Sequence, residues 1–169
     1  MYKIGDIVMH GYSGICKITG KEKLRLGREN ALKAYYVLVP LYETANTIYV
    51  PLTAEDQMRK PLSTSEVKEL IKDLPEMENN WIDDMKKRKD TYAIMIKSGK
   101  PADLLGLVHA IYSKDKERKA IGKRISEADE KQLMQAEKVL NGELAYGLGI
   151  KPEEVHGLIS KTLEKHKLS

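Results

Sequence analysis

The sequence predicts an α+β fold in two parts: a small, strongly bent β-sheet or barrel over residues 1–62, then an all-α region of about five helices over residues 63–169. Three observations support this. Apolar residues alternate in short runs before residue 60 and recur at three- and four-residue spacings after it. Pro and Gly punctuate the first part at close intervals and the second at helix-length intervals. Charge is segregated as well. Residues 85–124 hold twelve Lys and Arg against four Asp and Glu, a net +8 in a chain whose total is +4.

In the first part, residues 6–10 (Asp-Ile-Val-Met-His) form a short strand, and Gly11, Ser13 and Gly14 supply a turn. Residues 15–19 alternate inward and outward, Gly20 ends that strand, and residues 21–26 make a third. A loop over 27–33 leads to an apolar strand at 34–39, stopped by Pro40. Residues 43–46 read as a turn and 47–50 as the last strand, ended by Pro51. Closely spaced short strands of this kind suggest a small barrel, which buries little area by itself.

In the second part, Ser63 or Thr64 caps a helix with apolar positions Val67, Leu70, Ile71 and Leu74, and Pro75 stops it. A second helix starts near Asn79 or Asn80 and runs to about Lys97, where Ser98-Gly99-Lys100-Pro101 breaks it. The third follows Pro101 and reaches Lys119, before an interruption at Ile121-Gly122. Ser126 with Asp129 resembles a capping box opening a fourth helix. That helix carries Leu133, Met134, Ala136, Val139, Leu140 and Leu144, and ends at Gly147-Leu148-Gly149. Pro152 opens a fifth, with Val155, Leu158, Ile159 and Leu163.

Function classes narrow next. No apolar run approaches the ~20 residues of a bilayer span. The start, Met1-Tyr2-Lys3-Ile4-Gly5-Asp6, has no charged-then-apolar leader, and Cys16 is the only cysteine, so a cytoplasmic protein without disulfides is expected. His10, His109, His156 and His166 show no metal-ligand spacing with Cys16 or with one another. No glycine-rich phosphate loop precedes a Lys and Ser/Thr pair. Gly11-Tyr12-Ser13-Gly14 lies between strands, which is not the strand-to-helix context of a nucleophile elbow. Asp83 and Asp84 are adjacent, so on a helix they point about 100° apart and make a poor acid/base pair. No enzyme, cofactor or metal is expected.

The basic stretch remains. Lys86-Lys87-Arg88-Lys89 follows Trp81 and Met85, and Lys114, Lys116, Arg118, Lys119, Lys123 and Arg124 form a second run. Lys and Arg on a solvated helix face, offset by acids one turn away, are the ordinary explanation. Acids at 83, 84 and 90 cancel only part of the first run. A polyanion, above all nucleic acid, is the partner that would relieve the crowding. Trp81 is open to two roles, as part of such a surface or as an anchor in the core of the helical part.

The landmarks, taken in order, resemble CarD-family bacterial transcription regulators. The opening residues 2–15, Tyr36-Val37-Leu38-Val39-Pro40 and Thr47-Ile48-Tyr49-Val50-Pro51 carry the resemblance in the first part. Ser98-Gly99-Lys100, Ile111-Tyr112-Ser113-Lys114, Ala136-Glu137 and Gly142-Glu143-Leu144-Ala145 carry it in the second. The resemblance implies a Tudor-like RNA polymerase-interacting domain, shared with the transcription-repair coupling factor, at residues 1–62. It would dock on the polymerase β subunit by strand addition. The contact residues implied are Lys23, Arg25, Thr47, Ile48, Tyr49, Val50 and Pro51, with Tyr49 where the family often has a cation.

The helical domain, residues 63–169, would bind upstream promoter DNA largely without reading sequence, and so modulate the open complex. In the family a tryptophan wedges into the minor groove there. Counted back from the Ser98-Gly99 break, the wedge position falls on Met85 and the following basic pair on Lys87 and Arg88. Trp81 lies one turn earlier. Either it shares a helix face with Met85, or it is unrelated to the wedge and packs in the domain interface. The link between Arg118 and Ser126 is longer than usual, and its Lys119, Lys123 and Arg124 would add phosphate contacts. A monomer is expected. The alternative function is a protein-interaction adaptor whose helical half is a scaffold or dimer surface without DNA contact. An RNA-binding barrel is a further alternative, although only Tyr35, Tyr36 and Tyr49 offer it a stacking platform.

Overall fold

The alternating apolar residues of the N-terminal stretch pair into one antiparallel sheet. The computed structural model describes residues 1–43 and 46–168. The chain divides into two units, Met1–Pro61 and Leu62–Ser169. The first holds β1 (Ile7–His10), β2 (Gly14–Arg25), β3 (Leu32–Pro40), β4 (Ile48–Pro51) and β5 (Met58–Arg59), in the order β4-β3-β2-β1-β5. Val8, Cys16, Ile18, Tyr36, Leu38, Val50 and Met58 build the core on one face, as two-residue periodicity requires. Full burial of each large apolar side chain contributes about 1.5–3 kcal/mol.

Two strand expectations need correction. Gly20 does not end a strand. The register with β3 shifts between Ile18 and Gly20, so residues expected as two strands form the single, bulged β2. At the bulge the Thr19 hydroxyl donates to the Val37 carbonyl at 3.3 Å. A bulge bends a strand without breaking it, so the sheet curves while remaining an open sheet with β4 and β5 at its edges. The fifth strand is β5, which was not expected. A short 3-10 segment, Leu52–Gln57, leads into it, and the Tyr2 hydroxyl donates to the Met58 carbonyl at 3.3 Å. The last expected strand appears as Ile48–Pro51; Thr44 and Ala45 of the expected turn lie outside the described residues.

The second unit holds α1 (Thr64–Asp73), α2 (Met85–Ser98), α3 (Pro101–Lys119), α4 (Glu127–Leu148) and α5 (Pro152–Leu168). Ser63 and Glu66 form a reciprocal capping box at the start of α1. Pro75 lies in a 3-10 turn that ends the segment. Gly99, at φ +67°, closes α2. The longest helix, α4, packs against each of the other four. Leu104, Leu105, Leu107, Ile111, Leu140, Leu144 and Ile159 are fully buried around it.

Three helical expectations are corrected. The start of α2 is Met85, with Asp84 as the capping residue accepting from the Lys87 N–H, so residues 79–84 lie outside the helix, with a bend at Asp83 and Asp84. Gly147 lies inside α4, not in a turn; a Cβ there would stand 2.6 Å from Val67 Cγ2, so only glycine lets α1 approach. Met134 is 70% exposed and takes no part in the core. Among the described residues no helix is long and apolar enough to cross a membrane.

Candidate nucleic-acid interface and sheet edge

Helical periodicity divides the run at 86–89. Arg88, Tyr92 and Ile96 are spaced four apart and face inward, while Lys86, Lys87 and Lys89 are exposed. Arg88 is only 4% exposed. Its Nε and Nη2 donate to Asp129 Oδ1 and Oδ2 at 2.9 and 3.0 Å, and its Nη1 donates to the Ile82 and Asp83 carbonyls at 2.8 and 3.3 Å. The expectation that Arg88 contacts DNA is therefore corrected: its charge is already spent inside the unit. Asp129 also belongs to the start of α4. Ser126 Oγ accepts from the Asp129 N–H and donates to Asp129 Oδ2 at 2.8 Å.

Trp81 precedes α2, so it cannot share a helix face with Met85. Its ring lies under two cations, with Arg88 4.1 Å and Lys114 Nζ 5.5 Å from the centroid. The chain just before it is tied down. The Trp81 N–H donates to Asn79 Oδ1 at 3.0 Å, and the Tyr92 hydroxyl donates to the Asn80 carbonyl at 3.0 Å. Burial pushes the Tyr92 hydroxyl up to about 12, with the Asp129 charge adding and the Arg88 charge opposing, so it keeps its proton. Gly106 of α3 completes the seat, since a Cβ there would lie 3.1 Å from Asn80 Nδ2. The half-buried tryptophan thus packs within the helical unit.

The remaining cations differ in availability. Lys114 pairs with Glu117 at 3.5 Å and Lys119 with Asp115 at 2.9 Å, the ordinary one-turn neutralisation. Arg118 is half-buried, and its Nε has no hydrogen-bond partner among the described residues. Lys86, Lys87, Lys89, Lys116, Lys123 and Arg124 are exposed and form no ion pair among the described residues. Met85, at the first turn of α2, is 60% exposed. Gln132 Nε2 donates to the Lys89 carbonyl at 2.8 Å, and Arg88 holds Asp129. These bonds fix the start of α2 against the start of α4, just after Lys123 and Arg124. Both basic runs therefore meet at one end of the helical unit.

In the first unit β4 pairs, among the described residues, only with β3, and its other side is an edge of the sheet. Tyr49 is 41% exposed and stands edge-on to Tyr35, with centroids 6.5 Å apart. Thr47 is exposed just before the strand. Ile48 packs on the core and Val50 is 1% exposed, so Val50 offers main chain only, which corrects its place among the contact side chains. Pro51 pairs with Tyr35. Lys23 and Arg25 pair with Ala34 and Leu32, so alternation puts them on the face of Tyr36, opposite the face of Tyr49. The seven residues do not form one side-chain patch.

One polar cluster was not foreseen. The Tyr112 hydroxyl donates to Glu137 at 2.9 Å and meets His156 Nδ1, beside a cavity of about 270 Å³ also lined by Lys116 and Ser160. Its residues come from three helices, so no linear spacing could announce it. Among the described residues no group of His, Cys, Asp and Glu could hold a metal ion.

Residues 2–62 match the family described as the CarD-like/TRCF RID domain. The match covers the sheet-forming unit and stops where the helical one begins. A comparison with curated proteins found no match.

Proposed function

From the premise that this chain contains a CarD-like/TRCF RID domain at residues 2–62, we propose that it is a non-enzymatic transcription regulator that bridges RNA polymerase and promoter DNA. The domain points to interaction with RNA polymerase in general. The proposed contact is strand addition of the polymerase β subunit to the outer edge of β4, with Tyr49 and Thr47 beside the new strand. The proposed DNA surface is the basic end of the helical unit, Lys86, Lys87, Lys89, Lys116, Lys123 and Arg124. Such a surface holds phosphates without reading bases and would bias the stability of the open complex. The observation that carries the reading is the domain match coinciding with a strand at the edge of the sheet.

Co-purification of the full chain with the polymerase β subunit tests it. Thr47→Asp with Tyr49→Asp is expected to abolish capture while circular dichroism stays unchanged; full retention would overturn the edge mode. Lys86→Glu, Lys87→Glu and Lys89→Glu together are expected to weaken duplex binding and spare polymerase capture. Unchanged promoter opening by that triple variant would favour the adaptor reading.

A further inference from the structure

We propose that the groove between α3 and α5 binds a nucleoside monophosphate, independently of any DNA contact, with the base against Tyr112 and His156 and the phosphate on Lys116 and Ser160. Both helices pack on α4, and together they flank the cavity of about 270 Å³. The lining climbs each helix in steps of about one turn: Tyr112, Lys116 and Lys119 on α3, and His156, Ser160 and Leu163 on α5. Seven residues of helix rise about 10 Å, so the cavity is elongated along the two helices. A void left by imperfect packing is apolar. This one gathers imidazole, hydroxyl and ammonium groups around an aromatic and aliphatic lining, which is the make-up of a small-molecule site.

Hydrogen bonding fixes what this wall presents. A carboxylate only accepts, so the Tyr112 hydroxyl gives its single proton to Glu137 Oε1 at 2.9 Å. In its contact with His156 Nδ1 the hydroxyl then accepts. That contact places the imidazole hydrogen on Nδ1 and leaves Nε2 bare in the neutral ring. Burial, with the Glu137 charge and hydrogen bond adding, pushes the Tyr112 hydroxyl up, so it holds its proton at neutral pH. The two rings stand at 61° with centroids 4.7 Å apart. Aromatic side chains of this kind suit a flat ring, and a bare Nε2 suits an N–H donor on its rim. A nucleobase carries both; benzoate has the ring without the donor. One turn further on, Lys116 forms no ion pair among the described residues and Ser160 adds a hydroxyl, a pairing that fits a phosphate. Lys119 is already matched by Asp115 at 2.9 Å, and Glu164 lines the cavity a turn beyond Ser160. A longer phosphate chain would run towards that carboxylate, so one phosphate fits better than three.

The test is calorimetric titration of the full chain with AMP, GMP, ATP, benzoate and inorganic phosphate, without DNA. AMP or GMP is expected to bind one to one and several-fold tighter than ATP, benzoate or phosphate. Attraction to scattered surface cations gives the opposite order, with ATP tightest, and that order would overturn the proposal, as would benzoate or phosphate binding as tightly as the nucleotides. Ser160→Phe fills the cavity and is expected to weaken the nucleotide by about tenfold or more. His156→Leu, at an exposed position, is expected to weaken it several-fold, and Lys131→Gln, an exposed cation on α4, to leave it unchanged. Wild-type affinity in both Ser160→Phe and His156→Leu would overturn the site. The unmodified chain supplies a readout that no variant's folding can confuse: the imidazole resonances of His156 are expected to shift on saturation with AMP or GMP. Saturation without that shift, or no nucleotide binding at all, would overturn the proposal and leave the DNA-contact reading untouched.

Discussion

Arg88 and Asp129 join the starts of α2 and α4 through a two-pronged ion pair, Nε to Oδ1 at 2.9 Å and Nη2 to Oδ2 at 3.0 Å, with about 5% of each side chain exposed. A cation in the middle of a basic run is thereby a structural post. Removing either partner strands a buried charge, which costs about 3–5 kcal/mol. Arg88→Ala or Asp129→Ala is expected to lower the urea unfolding free energy by that amount. Lys87→Ala, on the exposed face, is expected to change it by no more than about 0.5 kcal/mol. Equal effects at 87 and 88 would contradict the inward placement of Arg88.

Gly147 supplies a second stability test. Alanine there would drive its Cβ into Val67 Cγ2, and overpacking of this kind costs about 1–3 kcal/mol. Gly147→Ala is expected to fall in that range, and Val67→Ala in the same chain to recover part of the loss. Additive losses in the double variant would argue against the close approach of α1 and α4.

These two sites mark what the sequence could carry. The α+β class and the starts of α1, α3, α4 and α5 were legible because each rests on local chemistry: Ser63 with Glu66, Pro101, Ser126 and Pro152. The family of the first unit was legible from its opening residues and its Pro-bounded strands. β5 was not, since two residues have no periodicity to detect. Gly20 misled because a glycine in a strand pattern marks a bulge as well as an end. The start of α2 was misplaced because Asp84, not Asn79 or Asn80, supplies the cap. Arg88 was legible in principle. Extending the inward positions Tyr92 and Ile96 back by one turn lands on it, but four consecutive cations mask that period.

His10 ties the first unit to pH. Burial lowers its imidazole below the ordinary 6.5, against a smaller opposite pull from a hydrogen bond with Gln57. The folded form therefore resists the proton that the unfolded chain accepts, and the unfolded state binds more protons as pH falls through 6.5. Stability is full above that value and is lost as pH falls through the lower folded one. The thermal midpoint is expected to drop between about pH 7.5 and pH 5, and less steeply in His10→Asn. An identical slope in the variant would remove His10 as the cause.

Cys16 is fully buried beside Tyr36 and Leu38 in the sheet core, and burial with the nearby Glu43 charge pushes its thiol up to about 11. The thiolate is the reactive form, so the folded chain is expected to resist a thiol reagent at neutral pH and to react fully in denaturant. Rapid labelling of the native chain would place Cys16 outside the core.

The most direct measurement compares the affinity of the full chain for RNA polymerase alone, for upstream promoter duplex alone, and for the polymerase–promoter complex. Two weak contacts tethered in one assembly reinforce each other. The account predicts the tightest binding to the complex. It also predicts that Thr47→Asp with Tyr49→Asp, or Lys86→Glu with Lys87→Glu and Lys89→Glu, each removes that gain. Equal affinity for polymerase with and without upstream DNA, unaltered by the lysine reversals, would contradict it.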